Sequence, residues 1–219
     1  IGAASATTGF NAVQWGNFAA KVVLPLLTSP VLGLLGGLAV MILLLNIFAK
    51  SNPRKVNERF RRLQVLSATY LALSHGSNDA QKTMGIMTLA LYTANAIPDK
   101  TVPTWVILIA ATAMFFGTAA GGWRIIKTMG QRVVRLDPVR GFAAETTGGS
   151  VILLASHFGM PVSTTHVITT AIMGVGTSDR ISAVKWNTAR SIITAWILTI
   201  PCSALIAFAA YEVLRIFGV

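Results

Sequence analysis

Between Arg62 and Asp99 lie 36 residues in which only Asp79 and Lys82 are formally charged at neutral pH. As one straight helix this stretch is about 54 Å long, well beyond the roughly 30 Å hydrocarbon core of a bilayer. At its middle stands Ser74-His75-Gly76-Ser77-Asn78-Asp79-Ala80-Gln81-Lys82, with an acid, an amide, a base and a glycine in apolar surroundings. The pattern predicts a helix broken near His75–Lys82, with polar backbone exposed at the break. Discontinuous helices of this kind build ion and substrate sites in membrane proteins.

The rest of the chain agrees with a membrane setting. Uncharged runs cover Val22–Ala49, Thr101–Trp123, Thr146–Ser178 and Ser191–Tyr211. Each reaches the span of about 20 apolar residues that crosses a bilayer. Only 11% of residues are charged, against about 25% in soluble domains. The fold class is therefore an all-α polytopic membrane protein. The net charge of +11 does not imply a nucleic acid partner, because the basic residues sit between apolar spans rather than on one face. Fourteen of the 18 Lys and Arg residues fall in three segments: Lys50–Arg62, Arg124–Arg140 and Arg180–Arg190. The positive-inside rule places all three in the cytoplasm. The single Cys202 excludes an intrachain disulfide.

These loops thread the chain. Residues 1–48 hold a tail and a span over 22–48, and 49–62 form a basic cytoplasmic linker. The broken helix occupies 63–97, a second span 104–123 and a last span 187–213. The run at 146–178 does not fit a simple span. His157 to His166 interrupt it, each half is too short to cross, and both flanks are basic. A re-entrant helical hairpin over 141–175 satisfies both facts, since irregular backbone at membrane depth survives only inside protein or beside a water-filled cavity.

Self-similarity adds a second line of argument. At an offset of 171, residues 11–48 pair with 182–219 at nine identities, among them Trp15 with Trp186 and Pro30 with Pro201. The threading puts Trp15 outside and Trp186 inside, so the copies run in opposite directions. Inverted repeats are a feature of secondary transporters. The chain then holds the tail of a first repeat and, over 63–219, a second.

Several residues have chemistry that fits such a site. Asp79 is costly at membrane depth. With Asn78 and carbonyls freed near Gly76, it forms a hard-cation oxygen site or takes a proton; alternatively it pairs internally with Lys82, three residues on. Gln81 is a further neutral ligand. Ser163, Thr164 and Thr165 open a short helix after Pro161, whose unpaired N–H groups and positive dipole end suit an anion; the plainer reading is an N-cap and helix packing. Glu145 is either a second coupling carboxylate or a partner of the hairpin's helix dipole. His75 tunes Asp79, and His166 orients the hairpin. A hydrolase dyad of Ser163 with His166 lacks an orienting acid and an oxyanion hole, so the chain reads as no enzyme. There is no HExxH zinc pattern. The glycines Gly33, Gly36, Gly37, Gly117, Gly121 and Gly122 are expected to permit close helix contacts.

The segments Gly76–Lys82 and Pro161–His166, with Gly122-Trp123-Arg124, Arg135–Pro138 and Glu145-Thr146-Thr147 between them, resemble the PiT family of inorganic phosphate transporters over essentially the whole chain. The resemblance implies a symporter of inorganic phosphate driven by protons or sodium, with no other cofactor and no metal beyond a coupling cation. It implies phosphate contacts at Ser163, Thr164, Thr165 and Lys82. Ion or proton coupling falls to Asn78, Asp79, Gln81 and Glu145, with His75, Gly76 and His166 in support. The expected partners are phosphate, free or as a metal complex, the lipid bilayer, and a first repeat upstream of Ile1. A second copy in a homodimer is left open, as is transport of another oxyanion such as sulfate. The expected location is a bacterial inner membrane.

Overall fold

A computed structural model describes residues 2–9, 11 and 13–217. Ala12, Gly218 and Val219, which belong to the self-similar segments, lie outside the described residues. Helix and turn account for the described chain, with no strand among the described residues. Helix α1 covers Gly2–Thr8. Helix α2, Trp15–Phe18, passes through a π-helical turn, Ala19–Val23, into α3, Leu24–Ile47. Then follow α4, Pro53–Thr93, and α5, Thr104–Lys127. Helices α6, Pro138–His157, and α7, Thr164–Thr177, form a hairpin, and α8 covers Trp186–Ile216.

Local chemistry sets the helix starts. Asn52 accepts a hydrogen bond from the Arg54 amide at 3.0 Å, with Pro53 at the first helical position. Asp137 does the same for the Arg140 amide at 2.9 Å, with Pro138 next. Ser163 caps α7 by accepting from the His166 amide at 3.4 Å. A polar cap followed by proline satisfies an otherwise unpaired N–H and presets the backbone of the first turn.

Among the described residues, three stretches are long and apolar enough to cross a membrane: Trp15–Ile47, Thr104–Trp123 and Trp186–Ile216. The first and third begin at the two tryptophans of the sequence repeat, and Pro30 and Pro201 both lie inside their helices at the same distance from the start.

The expected break in α4 is absent. The helix runs unbroken for 41 residues through Gly76 and Asp79. Two causes account for this. Ser74 and Ser77 turn their hydroxyls back to the carbonyls of Tyr70 and Leu73, at 2.9 and 2.8 Å. Asn78 reaches Ser156 on α6, Asp79 is met by Thr164 of α7, and Lys82 reaches the Val162 carbonyl in the loop between them, so these side chains find partners without an opened backbone. The excess length sits at the basic end. The expected linker over 49–62 is only a turn at 49–52, and residues 53–62 are already helix.

Packing follows small residues. Ser29, Gly33, Gly37 and Met41 are buried at four-residue spacing on α3. A side chain on Gly33 would collide with Thr170 and Val167, and one on Gly37 with Ala171; in return, Gly174 sits against the Leu34 carbonyl. The α3–α7 contact is thus a backbone-to-backbone approach of the kind membrane helices use. Gly117 and Gly121, expected to do the same, meet nothing within 4 Å. Helix α4 lies along α6, and the buried cluster of Val133, Val134, Ala143, Ile172, Val175 and Val184 sits at the base of the hairpin. Its tip differs: His157, Phe158, Gly159, Met160 and Pro161 are all exposed.

Candidate functional site

The middle of α4 meets the tip of the α6–α7 hairpin. Buried positions on α4 include Phe60, Ser67, Ser74, Asn78 and Thr88. Of the polar ones, Ser67, Ser74 and Asn78 recur at helical spacing, and Ser67 and Asn78 bond to α6. Asn78 donates from Nδ2 to Ser156 Oγ on α6 at 2.7 Å. Its Oδ1 is buried and has no hydrogen-bond partner among the described residues. A buried acceptor of this kind costs free energy unless something binds it.

Asp79, one residue on, is the centre of the cluster. His75 Nε2 stands 2.9 Å from Oδ2, and Lys82 Nζ 3.2 Å from Oδ1. The Thr164 hydroxyl donates to Oδ2 at 3.3 Å. Lys82 also donates to the Val162 carbonyl at 2.8 Å, reaching the tip loop just before α7. The internal pairing with Lys82 that the three-residue spacing allowed is thus realised. So is a link from Asp79 to the first residue of α7.

The expected anion-binding residues fall around that helix start. Ser163 is the cap, Thr164 is buried and turned to Asp79, and Thr165 is exposed. His166 is buried and stacks on Trp196 of α8, with ring centroids 3.9 Å apart. Gln81 is exposed and lines a cleft of about 450 Å³ with Ser77, Leu153, Leu154, Ser156 and His157.

Glu145 is not part of this cluster. It lies well inside α6, which begins at Pro138, so it does not meet the helix dipole at the first turn. It instead accepts from Ser67 Oγ at 2.5 Å and from Gln64 Nε2 at 3.3 Å, both on α4. Sequence reasoning missed Gln64, Ser67 and Ser156. Their signal was present, because Gln64, Ser67, Ser74 and Asn78 keep three-, four- and seven-residue spacing on one face of an apolar helix.

Fold and site together define an integral membrane protein in which a helical hairpin presents its tip to a charged helix. The chain belongs to the phosphate transporter family, whose model matches residues 1–207. It is 43% identical over 215 residues to a protein of Bacillus subtilis described as a probable low-affinity inorganic phosphate transporter, covering 98% of this chain and 64% of that protein. A protein of Rhizobium meliloti with the same description is 41% identical over 212 residues, covering 96% and 63%. The chain thus spans somewhat under two thirds of these relatives. A solved structure described as the sodium-dependent phosphate transporter matches with a TM-score of 0.85, covering 97% of this chain and 70% of that one; at 24% identity this likeness is one of fold.

Proposed function

We propose that the protein containing this chain takes up inorganic phosphate by symport with a cation or a proton, and that this chain supplies about half of the transport site. The observation that carries the reading is the 3.3 Å hydrogen bond from Thr164 to Asp79. It joins the start of α7, where unpaired N–H groups favour an anion, to a carboxylate suited to a cation or proton. Two ligands of opposite charge bound side by side stabilise each other, and this is a coupling free energy.

In this reading Ser163, Thr164 and Thr165 take the phosphate oxygens, with Lys82 adding positive field. Asp79 and the unpartnered Asn78 oxygen hold the coupling ion, with Gln81 at the rim and Glu145 as a second carboxylate. His75 and His166 position the cluster. Alternating access moves the site between the two sides of a bacterial plasma membrane, in keeping with the bacterial relatives. A counterpart repeat outside this sequence completes the site.

The test is labelled-phosphate uptake into proteoliposomes by the full-length protein under sodium or proton gradients. Asp79→Asn is expected to abolish uptake at normal membrane abundance; undiminished uptake would remove Asp79 from the mechanism. Uptake of sulfate in place of phosphate would keep the site and change the substrate.

A further inference from the structure

The contacts of Asp79 raise a question that the transport reading leaves open: what neutralises this carboxylate when no coupling ion is on it. Its two oxygens accept from three donors, His75, Lys82 and Thr164. Only Lys82 carries a formal charge. Between Arg62 and Asp99 these two residues are also the only formally charged ones, so the formal charge of the segment sums to zero. Lys82 has a second anchor, the Val162 carbonyl at 2.8 Å. It can therefore give up Asp79 without losing every partner.

We infer that Lys82 is a tethered internal counter-ion: it occupies Asp79 until the coupling cation displaces it, and its release supplies the positive charge that draws in phosphate. This rests on the symport reading above. The charge count gives the order of events. Asp79 with Lys82 sums to zero. A monovalent cation, or a proton, on Asp79 brings the sum to +1, and the freed ammonium remains on the Val162 carbonyl beside the start of α7. Phosphate then arrives at a positive site instead of a neutral one. Without Lys82 the sum is −1 before the ion binds and zero afterwards, so the ion is held more firmly and the anion less.

Two opposed shifts follow, which loss of packing alone does not produce. Lys82→Gln is expected to lower the cation concentration for half-maximal uptake and raise the phosphate concentration for half-maximal uptake. Each change should be about tenfold, the scale of one unit charge removed at a few ångströms from a partly screened site. Lys82→Arg, which keeps the charge with a different head group, is expected to fall between Lys82→Gln and the parent in both values.

The experiment is proteoliposome uptake by the full-length protein and both variants, varying sodium, or external acidity where sodium has no effect, against phosphate. A second measurement needs no variant. Modification of Lys82 by an amine-directed reagent, followed by peptide mass spectrometry, is expected to rise severalfold when the coupling cation is added without phosphate. Opposed shifts, or cation-dependent exposure of Lys82, support the counter-ion. Half-saturation values that both move the same way, or do not move, together with labelling indifferent to the cation, overturn it while leaving symport standing. A parent protein that neither accumulates phosphate nor responds to any cation overturns both.

Discussion

Ser67 on α4 donates its hydroxyl to Glu145 on α6 at 2.5 Å, across 78 positions of sequence. Gln64, one turn earlier, donates to the other carboxylate oxygen. No cationic side chain is paired with Glu145 among the described residues. Two neutral donors thus hold a carboxylate on the seam between the helices. Glu145→Ala strands the Gln64 amide and leaves Ser67 only the Gln64 carbonyl at 3.2 Å, and it is expected to cost about 1–3 kcal/mol of stability, the usual penalty for a partly buried polar group left unpaired. Glu145→Gln retains an acceptor and should cost less. Denaturation of the purified protein in detergent checks both values. Equal losses in the two variants would show that the hydrogen bonds contribute little.

The α3–α7 seam predicts a contrast between two glycines. A methyl group on Gly174 would collide with the Leu34 carbonyl and approach Leu38 N at 2.9 Å, whereas one on Gly117 meets nothing within 4 Å. Gly174→Ala should therefore destabilise by about 1–3 kcal/mol through overpacking. Gly117→Ala, in open space within a helix, should stabilise by about 0.5–1 kcal/mol through reduced backbone freedom in the unfolded chain. Thermal midpoints of the two variants, measured in one detergent, are expected to move in opposite directions.

How much of this was legible in the sequence depends on whether the deciding contact is local. The hairpin was legible, because two half-length apolar runs with basic flanks admit few other solutions. The start of α7 was legible too, since Ser163 caps its own helix three residues away. The unbroken course of α4 was not. Whether Asn78, Asp79 and Lys82 need an opened backbone depends on Ser156, Thr164 and Val162, about 80 positions downstream. The depth of Glu145 inside α6 was missed for a related reason. Its helix starts at the Asp137–Pro138 cap, ahead of the short stretch Gly141-Phe142-Ala143-Ala144, which shows little helical period. Gly117 and Gly121 looked like Gly33 and Gly37 in sequence, and only the neighbouring helix separates the two cases.

The stack of His166 on Trp196, with planes 29° apart, ties the first turn of α7 to α8. Aromatic pairs contribute about 0.5–1.5 kcal/mol beyond the area they bury. Trp196→Leu removes the stack and keeps much of the apolar volume, so a loss in that range is expected, while Trp196→Phe should keep most of it. A double-mutant cycle with His166→Ala isolates the pair. Additive single losses would mean the rings are neighbours without being partners.

Arg140 makes the last and most exposed of these links. Its guanidinium pairs with Asp137, the cap of its own helix, at 2.9 Å, and with Asp179, just beyond the end of α7. The two open ends of the hairpin are thereby closed at the base, on the end where the buried apolar cluster lies. Arg140 is 26% exposed and Asp179 34%, so water and salt screen the pair and its value is expected near that of a surface ion pair, about 0.2–1 kcal/mol. A cycle of Arg140→Gln, Asp179→Asn and the double variant should give that coupling at low ionic strength. The coupling should shrink at 1 M salt, where the screening length falls to about 3 Å. A coupling that ignores salt would assign the hairpin base to packing of Val134, Gly176 and Val184. A salt-sensitive coupling would instead make the base an electrostatic clamp, at the opposite end of the hairpin from the polar contacts of Ser156, Val162 and Thr164 with α4.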